Sequence, residues 1–174
     1  MPKERENKKR LARPRREESE FAQTVIDIAR VTRVMAGGKR MSFRACVVIG
    51  DKKGRVGMGL AKAKDVPMAV QKAVRQAEKN IVRILLVNGT IPHEVYVKDG
   101  ASKILLKPAP QGTGILSGGA TRIVLELSGI ENVVSKILGT NNKVNNVRTT
   151  IKALGKLKKR KKSDNAKEKE EIKQ

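Results

Sequence analysis

The sequence predicts an α+β chain made of two consecutive units. Three observations predict it. Short runs of alternating apolar residues read as strands, and a longer run with apolar residues every three or four positions follows them as a helix. After "NGT" at Asn88–Thr90 a second cycle of short apolar runs and helical spacing begins. Both ends of the chain are dense in charge and nearly free of apolar residues, so they cannot bury enough surface to fold alone. This divides the chain into a basic arm over 1–20, units over 21–87 and 88–158, and a charged tail over 159–174.

Val25–Val34 and Phe43–Ile49 are the first two strands. Between them "VTRVMAGGKRMSF" places Gly37-Gly38 at a hairpin tip ringed by Arg33, Lys39 and Arg40, with Met35 and Met41 exposed nearby. A turn at Asp51–Gly54 leads into a third strand over Arg55–Leu60, whose Gly57 and Gly59 signal a close backbone approach. Asp65 is a cap residue and Pro67 suits a first turn, so a helix is expected over Val66–Leu86. At 100° per residue Val70, Val74, Ala77, Ile81 and Leu85 share one face, while Lys72, Arg75, Lys79 and Arg83 gather opposite. Two readings fit that basic sector, a solvated face or a stripe toward a polyanion. Glu78 is the single acid in it, so salt bridges do not lace the face and the second reading is preferred.

In the second unit Val95–Val97 and Ile104–Leu106 are strands joined at Asp99-Gly100. Ser117 is expected to cap a short helix over Ala120–Leu127 that ends at Gly129. A strand over Val133–Leu138 follows, and Val144, Val147, Ile151 and Leu154 lie at helical spacing. Strands with helices on one side make an α+β unit.

Lys and Arg number 39 against 17 Asp and Glu, a formal net charge of +22. So large an excess repels itself in a compact state and calls for a polyanion. Nucleic acid and an anionic membrane are the two large ones. The longest uncharged run, Pro108–Thr121, is too short and too punctuated by Pro and Gly to span a bilayer. "MPKERENKKR" has no apolar core, so no secretory signal is expected, and the single Cys46 suits a reducing cytoplasm. Aromatics are scarce: Phe21, Phe43 and Tyr96 are the whole supply. A base-stacking platform needs more rings, so backbone and shape recognition of folded RNA is favoured over base reading.

Catalysis finds little support. "GTGILSGG" at Gly112–Gly119 has neither the G-x-G-x-x-G spacing nor a Gly-Lys-Ser/Thr ending. His93 is the sole histidine, too few for a metal site or a triad, and Cys46 sits mid-strand as a small buried residue. The acids of the folded part are scattered singly. No enzyme activity, cofactor, metal or small-molecule substrate is expected.

"GKRMSFRACVVIGDKKGRVGMG" (Gly38–Gly59), "KAKDVPMAVQKAVRQAEKN" (Lys62–Asn80), "NGTIPH" and "KPAPQGTGILSGGATRIVLELSGIENV" (Lys107–Val133) together resemble the bacterial small-subunit ribosomal protein five family. The resemblance runs from about Phe21 to Leu154. It implies a first domain related to the double-stranded-RNA-binding fold, three strands and a helix, and a second domain of ββαβα order. It further implies a structural constituent of the small subunit, bound to ribosomal RNA at the junction of head and body, touching neighbouring proteins four and eight and contributing to translational accuracy. The family's first hairpin, Arg30–Phe43 here, reaches RNA, and Gly112–Gly114 lies in a region tied to protein four. Two positions depart from the family pattern: Ala36 stands where Lys often precedes the glycine pair, and Ala61 where glycine is common.

The expected RNA-facing set is Arg30, Arg33, Gly37, Gly38, Lys39, Arg40, Lys52, Lys53, Arg55, Lys62, Lys64, Lys72, Arg75 and Lys79. The expected protein interface is Gly112, Thr113, Gly114 and Arg122. Glycines at the tip let phosphates approach the backbone, and the cations neutralise them without reading sequence. The rival reading is a free-standing double-stranded-RNA-binding protein acting outside the ribosome.

Overall fold

The computed structural model describes residues 21–158; the expected arm and tail lie outside them. The chain is α+β. Its first unit runs β1 (Ala22–Met35), β2 (Gly38–Gly50), β3 (Arg55–Ala63), α1 (Val66–Lys79) and β4 (Ile81–Arg83), with the strands in antiparallel order β1-β2-β3-β4. The second unit runs β5 (Val95–Asp99), β6 (Ser102–Pro108), β7 (Ile115–Leu116), α2 (Gly119–Ser128), β8 (Val133–Ile137) and α3 (Lys143–Gly155), with sheet order β5-β6-β8-β7. Only the β7–β8 pairing is parallel.

The first sheet holds four strands rather than three, because the helix ends seven residues earlier than its apolar spacing suggests. Asn80 leaves helical geometry, and Ile81 and Val82 pair with Gly57 and Val56 on the open edge of β3. Two β-branched residues beside unpaired strand edge gain more as sheet than as another helical turn. The buried face of α1 is centred on Ala69, Ala73 and Ala77, with Val70 and Val74 at its flank. That alanine stripe is what lets the helix descend onto β3. A Cβ on Gly57 would lie 2.5 Å from the Ala77 carbonyl oxygen, and one on Gly59 would run into that of Ala73. The expected close approach is the helix itself.

Strand β2 is buried from Ala45 to Gly50 without a break. One set of side chains, Ala45, Val47 and Ile49, lies under α1. The alternate set meets the second unit: Val48, together with Val56 of β3, shares one cluster with Val124 and Leu125 of α2, Val147 and Leu154 of α3, and Ile104 and Leu106 of β6. Burial on both faces is the signature of a central strand. The two units thus share one core cluster, separate from the two smaller ones under α1.

Two capping details differ from expectation. Ser117 does not cap α2; Gly118 is the N-cap residue, and the Ser117 hydroxyl accepts a hydrogen bond from Ser135 Oγ at 2.5 Å. Asn142, which the spacing did not single out, caps α3 by accepting from the Val144 N–H at 3.1 Å. Gly129 does end α2, with φ 83° in the left-handed region.

Candidate nucleic-acid interface

The hairpin is tighter than the sequence suggests. Met35 pairs with Gly38, so the turn is Ala36-Gly37, with Gly37 at φ 84°, and Gly38 already belongs to β2. Side chains alternate between faces along a strand. Lys39 and Arg40 therefore point to opposite sides, as do Arg30 and Arg33. Arg33 is directly opposite Arg40 across the two strands. A Cβ added at Gly37 or Gly38 would meet nothing of this chain within 4 Å. Crowding within the protein is no reason for glycine there.

Strand β3 ends at Ala63, paired with Phe43, so the β2 edge from Gly38 to Ser42 continues without a partner strand on that side. Lys62, Lys64 and Lys72 stand around this gap. With Arg33 and Arg40 they line one open groove of about 430 Å3, floored by Val31, Thr32, Ser42 and Ala63. Among the described residues no carboxylate lines it. Like charges directly opposite in a sheet are destabilising, and here five cations converge on one concavity beside free strand edge. The concavity is therefore suited to an anion that can also accept from N–H groups.

Arg75 and Lys79 continue from Lys72 along the exposed surface of α1. Arg83 leaves this stripe, since it lies on β4. Lys52, Lys53 and Arg55 occupy the other end of β2, roughly 40 Å from the hairpin turn at about 3.3 Å per residue. The set expected to meet RNA is thus one cluster at the hairpin, a stripe along the helix and a separate turn.

That turn has an internal task. Asp51 Oδ1 accepts from the N–H groups of Lys53 at 2.8 Å and Arg55 at 2.9 Å, and its Oδ2 accepts from Arg55 Nε at 2.6 Å. The Arg55 guanidinium also lies over the Phe21 ring, 5.1 Å from its centre. Arg55 therefore holds the fold. Burial alone would raise the Asp51 carboxyl, but the Arg55 side-chain bond, the two backbone N–H bonds and the guanidinium charge outweigh it and hold it below its ordinary value of 3.8. The N–H groups of Lys52 and Gly54 donate to the Leu127 and Ser128 carbonyls, both at 3.0 Å, completing the last turn of α2 from across the unit boundary. Lys52 adopts φ 57° to do so.

The glycine loop after β6 is organised by a residue the sequence reading missed. Asn132, 6% exposed, accepts through Oδ1 from the N–H groups of Gly112 at 3.0 Å and Gly114 at 3.1 Å. Both glycines have positive φ, 89° and 71°, and open space where a Cβ would stand. Arg122 is exposed on α2 and pairs with Glu126 at 2.9 Å. Ile115, beside the loop, and Ile123 and Glu126, beside Arg122, line a cleft of about 600 Å3 between the units. Asp27, at a β-bulge in β1, binds Lys143 of α3 at 3.1 Å and faces Arg44 at 3.8 Å. Only the "GDKKG" turn carried a readable signal, an Asp two residues before the N–H it captures. Asn132 and Asp27 act across long sequence separations.

Among the described residues no three His, Cys, Asp or Glu side chains cluster to hold a metal, and no helix is long and apolar enough to cross a membrane. Burial pushes the Cys46 thiol up to about 11, with the nearby Asp27 charge adding to it.

Residues 21–85 match the family model described as ribosomal protein S5, N-terminal domain, and residues 97–169 that of ribosomal protein S5, C-terminal domain. The chain belongs to the ribosomal protein S5 family. Small ribosomal subunit protein uS5 of Campylobacter jejuni strain 81-176 is 53% identical over 139 residues, covering 80% of this chain and 95% of its own length. The protein of the same name from strain RM1221 gives the same figures. Both family domains take in the features built up above. The N-terminal one spans the hairpin groove and the α1 stripe, and the C-terminal one the Asn132-held loop and Arg122.

Proposed function

We propose that this chain is a structural, ribosome-bound constituent of the small ribosomal subunit, working in the cytoplasm through phosphate and shape contacts to ribosomal RNA and without catalysis. The observation that carries this reading is the groove in which Arg33 opposes Arg40 and Lys62, Lys64 and Lys72 join them, with no carboxylate among the described residues. Such an arrangement costs the free protein stability and is repaid only by a polyanion. Arg30, Gly37, Gly38 and Lys39 extend the contact over the hairpin, and Arg75 and Lys79 along the helix. Lys52 and Lys53 form a more distant point of contact.

The finer reading follows from the family. The protein sits at the junction of head and body and contributes to translational accuracy. Gly112, Thr113, Gly114 and Arg122 meet a neighbouring protein, with proteins four and eight as the partners. A loop held in place by Asn132, with open space at both positive-φ glycines and a cleft beside it, suits a protein surface.

Sucrose-gradient sedimentation of a lysate, blotted for this chain, tests the reading. Co-migration with small subunits at moderate salt, lost only at high salt, is the expected result. Free protein at the top of the gradient at moderate salt overturns it in favour of an RNA-binding protein acting outside the ribosome.

A further inference from the structure

The outer face of the second sheet carries cations that the RNA-facing set does not include. Helices α2 and α3 pack with the inward residues Val97, Ile104, Leu106 and Val133, so alternate residues of the strands face outward. Tyr96 and Lys98 of β5, Lys103 and Lys107 of β6, and Lys136 of β8 lie on this outer surface, with the apolar Leu105, Leu116 and Val134 beside them. Register aligns them. Lys98 lies opposite Lys103, Tyr96 lies opposite Leu105, and Leu105 pairs on its other side with Lys136. Of these lysines only Lys107 has an acid partner among the described residues, Glu94 at 3.5 Å. Asp99, next to Lys98 in sequence, is taken by Lys152 of α3 at 2.7 Å. Lys98 thus faces Lys103 with no carboxylate paired to either, the same uncompensated cross-strand arrangement as Arg33 and Arg40. Tyr96, 55% exposed, stands in the next row.

We propose that this face is a second RNA platform, with Lys98, Lys103 and Lys136 on phosphates and the Tyr96 ring stacked on an unpaired base. The proposal rests on the ribosomal RNA-binding reading above. Lysine is depleted in the cores of protein–protein interfaces, whereas a row of lysines beside an exposed ring is the make-up of a single-strand or loop site. Phe21 lies under Arg55 and Phe43 is half-buried, which leaves Tyr96 as the open ring. One ring with surrounding lysines gives a contact dominated by phosphates and sharpened by one stack.

The test titrates the full-length chain against transcribed small-subunit ribosomal RNA over a salt series. The variants are K98A/K103A/K136A, its arginine counterpart K98R/K103R/K136R, Y96L and R33A/R40A. The alanine triple should flatten the log–log salt slope by roughly two to three, near 0.7–0.9 per phosphate contact. The arginine triple should keep the slope, and Y96L should weaken binding about fivefold or more at every salt. Lysine acylation of the wild-type protein, with and without RNA, should show protection of Lys98, Lys103 and Lys136, which gives a readout should a variant fold poorly. A wild-type slope in the alanine triple, together with unprotected lysines, overturns the proposal. If R33A/R40A flattens the slope in the same series, the broader reading stands. No salt-dependent binding by the wild type overturns both. Unchanged RNA binding by the alanine triple with loss of retention on assembled subunits assigns the face to a neighbouring protein and also overturns the proposal.

Discussion

Replacing Arg40 with alanine should make the free protein slightly more stable while weakening its hold on RNA. Arg33 and Arg40 face each other across β1 and β2, where opposed Cβ atoms are about 5 Å apart. Two exposed charges about 7 Å apart in water repel by about 0.6 kcal/mol. Screening leaves about 0.5 kcal/mol at 10 mM salt and about 0.25 kcal/mol at 150 mM. The lost Arg–Arg repulsion is therefore a gain of a few tenths of a kcal/mol, equal to about 1–3 °C in Tm at low salt. Removing one phosphate contact should lower the RNA salt slope by about 0.9 on the duplex DNA scale. Thermal melts at two salt concentrations and an RNA titration series measure both quantities on one preparation. A lower Tm for R40A with unchanged RNA affinity and slope would refute the reasoning, since Arg40 would then be a structural residue and the groove no RNA site.

Other outcomes follow from the same geometry. Gly59→Ala drives a Cβ into the Ala73 backbone and should cost about 3 kcal/mol or more in urea denaturation, whereas Gly38→Ala, with open space and no positive φ, should stay within about 0.5 kcal/mol. Asp51→Ala removes the acceptor of two backbone N–H groups and a guanidinium from a side chain 5% exposed and should cost about 1–3 kcal/mol. The Asp51 carboxyl is held below its ordinary value, so its contribution is complete above about pH 5 and falls away as the pH drops through the unfolded-state and then the folded-state value. The variant should lose less stability than wild type over that acid range. Cys46, pushed up to about 11, should resist thiol reagents at pH 8 until the protein is unfolded, and rapid labelling of the native protein would contradict its burial. Gly114→Val forces a branched residue into φ 71°, a strain of roughly 1–2 kcal/mol. It should reduce retention on subunits more than binding to bare RNA, and equal losses in the two assays would contradict a protein-facing loop.

Periodicity was a sound guide where an element meets its neighbours through one face. The strands that were expected, save the earlier start of β2, and α2 fall close to the expected ranges, because alternation and helical spacing report which side is buried; the short β7 (Ile115–Leu116) gave no such signal. It misled at Ile81–Val82, where helical spacing continued but the open edge of β3 offered pairing. It also understated β2, whose burial on both faces depends on a second unit that begins some forty residues later. At the hairpin the glycine pair marked the tip correctly. The register, which moves Gly38 into the strand and puts Lys39 and Arg40 on opposite faces, depends on the pairing of Met35 with Gly38.

By itself the sequence determined the charge imbalance, the scarcity of rings, the main strands and helices, and the family motifs, because composition and local spacing are properties of the chain in any conformation. The tertiary structure decided which cations become neighbours. Arg33 and Arg40 lie seven positions apart and Lys72 thirty-two beyond Arg40, yet one groove collects them. Asn132 reaches back to Gly112, and the N–H groups of Lys52 and Gly54 reach the last carbonyls of α2. Hydrogen bonds and like-charge contacts act over a few ångströms, so their partners are set only when strand register and the shared core bring distant segments together.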